Sequence, residues 1–155
     1  MSDFLRFIHS KAEVDSKAKL GKNVYVSAFA VINANEGKIE IGDNTSIQEC
    51  CVLHGKKVVI GDNVTLGHGA IVHGARIGSN VLVGMNASIL DEADVGDWCI
   101  IGAGAVVTSG MKIPEGSVAL GVPAKVVRKI TEEDRKLIIS SYENYLKKLK
   151  KPRAP

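Results

Sequence analysis

His54, His68 and His73 fall within a span of twenty residues. Neutral imidazole is the commonest protein ligand for transition metals. Three imidazoles around one ion, with a fourth position left open, make the arrangement of a catalytic zinc site. Three neutral ligands leave the ion's double charge intact, so a water in the fourth position loses its proton near pH ~7. The fourth histidine, His9, lies far from this group in the chain and reads as structural. Whether the three can meet depends on the elements that carry them.

Those elements follow a six-residue clock. Aliphatic residues recur at Ile77, Val83, Ile89, Val95, Ile101, Val107 and Ile113 without a miss. A small or β-branched residue follows four positions on, at Val81, Ala87, Ala93, Cys99 and Ala105. The series extends backwards through Ile60, Leu66 and Val72, then Ile41, Ile47 and Leu53, then Ile8, Val14, Leu20, Val26 and Ile32. Its irregular steps are seven residues from Leu53 to Ile60, five from Val72 to Ile77, and nine from Ile32 to Ile41, around Asn35-Glu36-Gly37. A hexapeptide period is the signature of a parallel β-helix. Each hexapeptide forms one flat side and three sides form a coil, so the chain should make about six triangular coils.

The clock stops after Pro114-Glu115-Gly116. Thr131-Glu132-Glu133-Asp134 resembles a capping box, and Ile138, Tyr142, Tyr145 and Leu149 then recur at helical spacing. The expected organisation is a β-helix domain over residues 1–122, with a linker and C-terminal amphipathic helix over 123–155. The class is all-β with one appended α-helix.

Composition narrows the function. The chain has 155 residues, a net charge of +3 and only 5% aromatic residues. Ten of its twenty Lys and Arg residues follow Pro123. Lys147, Lys148, Lys150 and Lys151 read as the solvated face of the helix, with no aromatic interleaving to suggest a nucleic-acid partner. No run approaches transmembrane length, and the first residues do not read as a signal peptide. A cytoplasmic protein with no membrane or nucleic-acid partner is expected. Cys50 and Cys51 are adjacent, no C-x-x-C pair occurs, and Cys51 and Cys99 read as core.

Counting sides in threes places the histidines. Leu53 and Val72 begin the same side in successive coils, so His54 and His73 hold one position a coil apart. Neighbouring strands are about 4.8 Å apart, a spacing that suits two imidazoles on one ion. Leu66 begins the preceding side, which sends His68 off another face. Three subunits packed side by side could bring His68 of one chain to His54 and His73 of the next.

The segment Ile47-Gln48-Glu49-Cys50-Cys51-Val52-Leu53-His54, with Gly67-His68, His73-Gly74, Ile101-Gly102-Ala103-Gly104-Ala105 and Gly121-Val122-Pro123-Ala124-Lys125, resembles the γ-class carbonic anhydrases. The resemblance implies a left-handed β-helix, a homotrimer, and zinc, with ferrous iron or cobalt as substitutes, held by His54, His68 and His73 at each subunit interface. It implies reversible hydration of carbon dioxide to bicarbonate by a metal-bound hydroxide. Gln48 matches the glutamine that hydrogen-bonds the metal's water or hydroxide. Glu36 matches an acidic residue that handles protons in some members, against a solvated loop carboxylate. Tyr145 matches a helix tyrosine of many relatives, against simple packing of the helix.

Three departures from the family pattern stand out. Asn33 and Asn35 replace a common Arg and Asp that help join subunits. Ser46 stands where an Asn is usual. The loop Gly55-Lys56-Lys57 is too short to be the acidic loop that carries a proton shuttle elsewhere. Two other functions share the scaffold: a hexapeptide acyltransferase or thioesterase acting on acyl-CoA, and a metal-binding trimer of weak activity.

Overall fold

The computed structural model describes residues 5–151. The reading of the first residues and the outer ends of the expected domain ranges therefore lie partly outside the described residues. Short parallel strands stack into three sheets, one for each side of a triangular solenoid of about six turns. The first side carries Phe7–Ile8, Tyr25–Val26, Ser46–Ile47, Thr65–Leu66, Leu82–Val83, Ile100–Ile101 and Ser117–Leu120. The second carries Glu13–Val14, Val31–Ile32, Val52–His54, Ile71–His73, Ser88–Ile89 and Val106–Val107. The third carries Lys19–Leu20, Lys38–Ile41, Lys57–Ile60, Arg76–Ile77, Asp94–Val95 and Lys112–Ile113.

The hexapeptide clock is the cause of this shape. In each two-residue strand the clock residue points inward and its neighbour outward. Val26, Ile47, Leu66, Val83 and Ile101 are fully buried, as are Val81, Ala87, Cys99 and Ala105 at the small positions. The axial core is thus filled by alternating large and small side chains, coil on coil. Ile8 departs from its place in the series: it is 42% exposed, because it belongs to the first coil and has neighbours on one side only.

One corner is built from asparagines. Asn23, Asn44, Asn63 and Asn80 all have positive φ, between 55° and 57°. Their side chains form a ladder in which each Nδ2 donates to the next Oδ1 at 2.9, 2.9 and 3.0 Å. Asparagine tolerates the left-handed conformation, and the amide can donate to one coil while accepting from the other.

Beyond the coils, Lys125–Lys129 turns back and pairs antiparallel with Ser117–Leu120. Thr131 then caps α1 (Glu132–Lys150) with the full capping box, its hydroxyl accepting from the Asp134 N–H while the Asp134 carboxylate accepts from the Thr131 N–H. Arg128 donates to the Asp134 carboxylate through both terminal nitrogens, tying the last strand to the helix start. α1 lies on the first side, against Tyr25–Val26 and Thr65–Leu66. Phe7, Tyr25 and Tyr145 pack ring on ring there, with centroids 4.8 and 5.1 Å apart. Arg135 places its guanidinium 4.6 Å from the Trp98 ring centre. Among the described residues, no helix is long and apolar enough to cross a membrane.

Candidate metal centre

His54 and His73 are register partners in adjacent strands of the second side. Each follows a buried clock residue, Leu53 or Val72, so both rings project outward from the corner that ends the side. The chain must turn hard after each. Gly55 takes φ 111°, and a Cβ there would sit 2.7 Å from the Gly74 nitrogen. The tight corner holds the two rings together: His54 Nδ1 lies 3.2 Å from His73 Nε2.

That separation fits a shared ion. Two nitrogens bound at the usual zinc distance in a tetrahedron stand roughly 3.3 Å apart. The rest of His73 is prepared for the role. Its Nδ1 meets Asp91 Oδ2 at 2.9 Å, which assigns the proton to Nδ1 and leaves Nε2 bare. Glu36 approaches from the loop, with Oε2 3.8 Å from His54 Nε2, and is 77% exposed. Glu36, His54, His73 and Asp91 line one groove, which also carries Lys38, Lys57 and Arg76.

His68 lies in a different groove, with Gln48 and Tyr145. Its Nδ1 pairs with Glu49 Oε2 at 2.7 Å, and its side chain is 53% exposed. Tyr145, on α1, is half-buried against Tyr25 of the first side. Desolvation, with the Glu49 charge second, pushes its hydroxyl up to about 12, so it stays protonated at neutral pH while Gln48 hydrogen-bonds to it. Among the described residues, no set of three His, Cys, Asp or Glu side chains gathers as for one metal ion. One chain supplies a pair of imidazoles on one face and a single imidazole on another.

Sequence reasoning placed His54 beside His73 and His68 apart from both. It missed Asp91 and Glu49, the carboxylates that hold the outer nitrogens of His73 and His68. The signal was available: Asp91 follows His73 by eighteen residues, one regular coil. Cys51 and Cys99 are buried, and burial pushes both thiols up, that of Cys51 to about 11. Neither lines the groove of the histidine pair.

The face beside the histidine pair is also distinctive. On the second side Val31, Val52, Ile71 and Val106 stand outward in one register column, interrupted only by Ser88. The first side is covered by α1, and the third presents Lys19, Glu40, Arg76, Asp94 and Lys112. The second side alone offers an aliphatic strip without a cover in the described chain.

The family profile "Bacterial transferase hexapeptide (six repeats)" matches residues 74–109. A "Probable carbonic anhydrase" from Methanocaldococcus jannaschii is 52% identical over 121 residues, covering 76% of each chain. "Gamma carbonic anhydrase 2, mitochondrial" from Arabidopsis thaliana is 34% identical over 90% of this chain and 54% of that protein. Among solved structures, a hexapeptide transferase family protein from Anaplasma phagocytophilum superposes with a TM-score of 0.81 at 33% identity. It covers 89% of this chain and 90% of that one.

Proposed function

The chain belongs to the γ-class carbonic anhydrase family of hexapeptide-repeat, left-handed β-helix proteins, and from that premise we propose that it catalyses the reversible hydration of carbon dioxide to bicarbonate at a metal site shared between subunits of a homotrimer. The observation that carries the proposal is the 3.2 Å pairing of His54 with His73 in one groove, while His68 faces outward from another. Two ligands from one chain and a third from its neighbour complete the set of three imidazoles. The aliphatic strip Val31, Val52, Ile71, Val106 beside the pair supports association of subunits on that side, since burying it is favourable.

A divalent metal held by His54, His73 and the neighbour's His68 supplies Lewis acidity, which makes water a nucleophile at neutral pH. Zinc suits three imidazoles, as do ferrous iron and cobalt. The chain's own residues set the rest. Asp91 and Glu49 fix the tautomers of His73 and His68 and orient their rings. Tyr145, protonated and carried on α1 where the helix packs against the first side, holds the Gln48 side chain at the His68 groove, where the amide can orient the attacking water. Glu36, on the opposite groove and exposed, is placed to accept a proton and release it to solvent. Carbon dioxide itself has no charge to grip, so its pocket needs apolar walls; Leu82, Val83 and Met85 line the His68 groove.

The test is stopped-flow hydration of carbon dioxide by anaerobically purified, metal-loaded protein, with metal content measured on the same sample. Turnover that His73→Ala abolishes together with metal binding is the expected result. A fully active His73→Ala protein contradicts the proposal. A second reading, acyl transfer from an acyl-CoA, is favoured by the transferase description of the matching repeat profile and of the Anaplasma structure. Saturable CoA binding by a protein that hydrates no carbon dioxide would select it.

A further inference from the structure

Asn33 and Asn35, which depart from the family pattern, open the loop that carries Glu36. The step from Ile32 to Ile41 is nine residues, three more than the clock requires. The extra chain leaves the core at the buried Ala34 and returns to it at the buried Ile39. Asn35, Glu36, Gly37 and Lys38 stand outside, and a surface loop of this kind is ordinarily mobile.

Four contacts fix this one. The Asn33 side-chain Oδ1 accepts from the Asn35 N–H at 3.0 Å, the turn-opening bond that asparagine makes to the backbone two residues on. The Gly37 N–H donates to the Ala34 oxygen at 3.3 Å, and the Lys38 N–H to the Lys56 oxygen at 3.0 Å. Gly37 also lies flat on the next coil: a Cβ there would sit 2.3 Å from the Lys56 oxygen and 2.4 Å from the Gly55 oxygen. Gly55 and Lys56 follow His54 directly. The turn that carries Glu36 is thus braced on the same corner that aims His54. Of the carboxylates lining this groove, Glu40 is engaged by Lys38, Asp94 by Arg76 and Asp91 by His73. Glu36 and Glu92 remain, and Glu36 is the one that reaches a histidine, with Oε2 3.8 Å from His54 Nε2.

We propose that Asn33 is a positioning residue for proton release: its side chain holds the turn that keeps the Glu36 carboxylate beside the histidine pair. The inference rests on the hydration reading above, in which one proton leaves for each bicarbonate formed. The Glu36 carboxylate takes that proton and becomes a carboxylic acid. It returns to carboxylate by giving the proton to water or a buffer base, which its exposure allows. Asn33 neither gains nor loses a proton. It acts by keeping the acceptor in place, since a proton crosses only within hydrogen-bond reach, directly or through one water.

Four variants of the zinc-loaded full chain test this: Asn33→Ala, Asn33→Asp, Glu36→Gln, and Asn33→Ala combined with Glu36→Gln. In weak buffer Glu36→Gln should lower kcat for hydration about 100-fold, the lower end for a positioned proton acceptor. Asn33→Ala loses one local hydrogen bond and should lower it about fivefold. Both should keep kcat/KM and recover in imidazole buffer. Asn33→Asp keeps an acceptor oxygen and should stay near wild type. The double variant should lose no more than Glu36→Gln alone, because Asn33 acts through Glu36. Amide exchange reads the turn without turnover: the Asn35 N–H should exchange about fivefold faster in Asn33→Ala. Unchanged exchange at Asn35, unchanged kcat in weak buffer, losses that multiply in the double variant, Asn33→Asp as impaired as Asn33→Ala, or a fall in zinc content in Asn33→Ala overturns the positioning role. A wild-type protein that hydrates no carbon dioxide overturns the hydration reading and the proton role with it, and the exchange result then still decides whether Asn33 holds the turn.

Discussion

Asp91 offers a measurable handle on the histidine pair. Its Oδ2 accepts from His73 Nδ1 at 2.9 Å and so leaves Nε2 bare toward His54. Removing such a partner from a metal-binding histidine typically weakens metal affinity about 10- to 100-fold. Exposure decides where in that range this one falls. The His73 and Asp91 side chains are 39% and 54% exposed, so solvent screens the charge. The lower end applies: Asp91→Ala should weaken metal binding about tenfold, or ~1.4 kcal/mol. Asp91→Asn keeps an acceptor oxygen but loses the charge. Charge-assisted hydrogen bonds are roughly twice as strong as neutral ones, so its effect should be about half in free energy, near threefold in affinity. The assay is competition of zinc between the protein and a chromophoric chelator, with the unfolding midpoint measured alongside. Folding should be little changed, since Asp91 sits in an exposed turn. Wild-type zinc affinity in a folded Asp91→Ala protein would refute the reasoning.

Other outcomes follow from the same geometry. Glu49→Gln should weaken zinc binding by a few-fold through His68, by the same chelator competition. Asn63→Ala removes two rungs of the asparagine ladder and puts alanine at φ 57°; urea unfolding should show a loss of about 2–3 kcal/mol, and Asn63→Gly a smaller one. Asp134 is held below the ordinary carboxylate range, first by hydrogen bonds from Arg128 and then by the Thr131 backbone. Its stabilising contribution is therefore complete above that range and is lost as pH falls through it toward the depressed value. Trp98 fluorescence, which reports on Arg135 of α1, should change in that acid window, and Asp134→Asn should remove the transition. Cys51 and Cys99, buried and with raised thiol values, should resist a thiol reagent at pH 8 until the protein is unfolded.

The coil architecture was legible because one short-range rule repeats along the chain. An aliphatic every six residues, with a small residue four positions on, defines which side chains face inward, and the irregular steps mark where corners lengthen. The same counting located His54 against His73 through the one seven-residue step, Leu53 to Ile60, that lies between Leu53 and Val72. Pairs between outward side chains were harder to see. Glu49 meets His68, and Asp91 meets His73, at corners rather than along strands, and corner geometry depends on which residue takes the positive φ. Cys50 and Gly69 take it beside the first pair, and Gly74 and Glu92 beside the second. Nothing in the hexapeptide rule chooses those positions. The burial of Thr65 was hidden for another reason: its strand packs against α1, which begins 67 residues further along the chain.

The central claim is that one ion is held by histidines of two chains, and mixed trimers measure it directly. His68→Ala subunits retain the His54–His73 pair, and His54→Ala subunits retain His68. Each protein alone should bind no catalytic metal and hydrate no carbon dioxide. Unfolded together in equal amounts and refolded, they assemble at random, and a site is complete wherever an intact His68 meets an intact pair across an interface. In a cyclic trimer that happens at about one quarter of interfaces, so the mixture should recover about one quarter of wild-type metal content and hydration rate. A mixture no better than its parents, once trimers containing both chains are shown to form, would contradict a shared site.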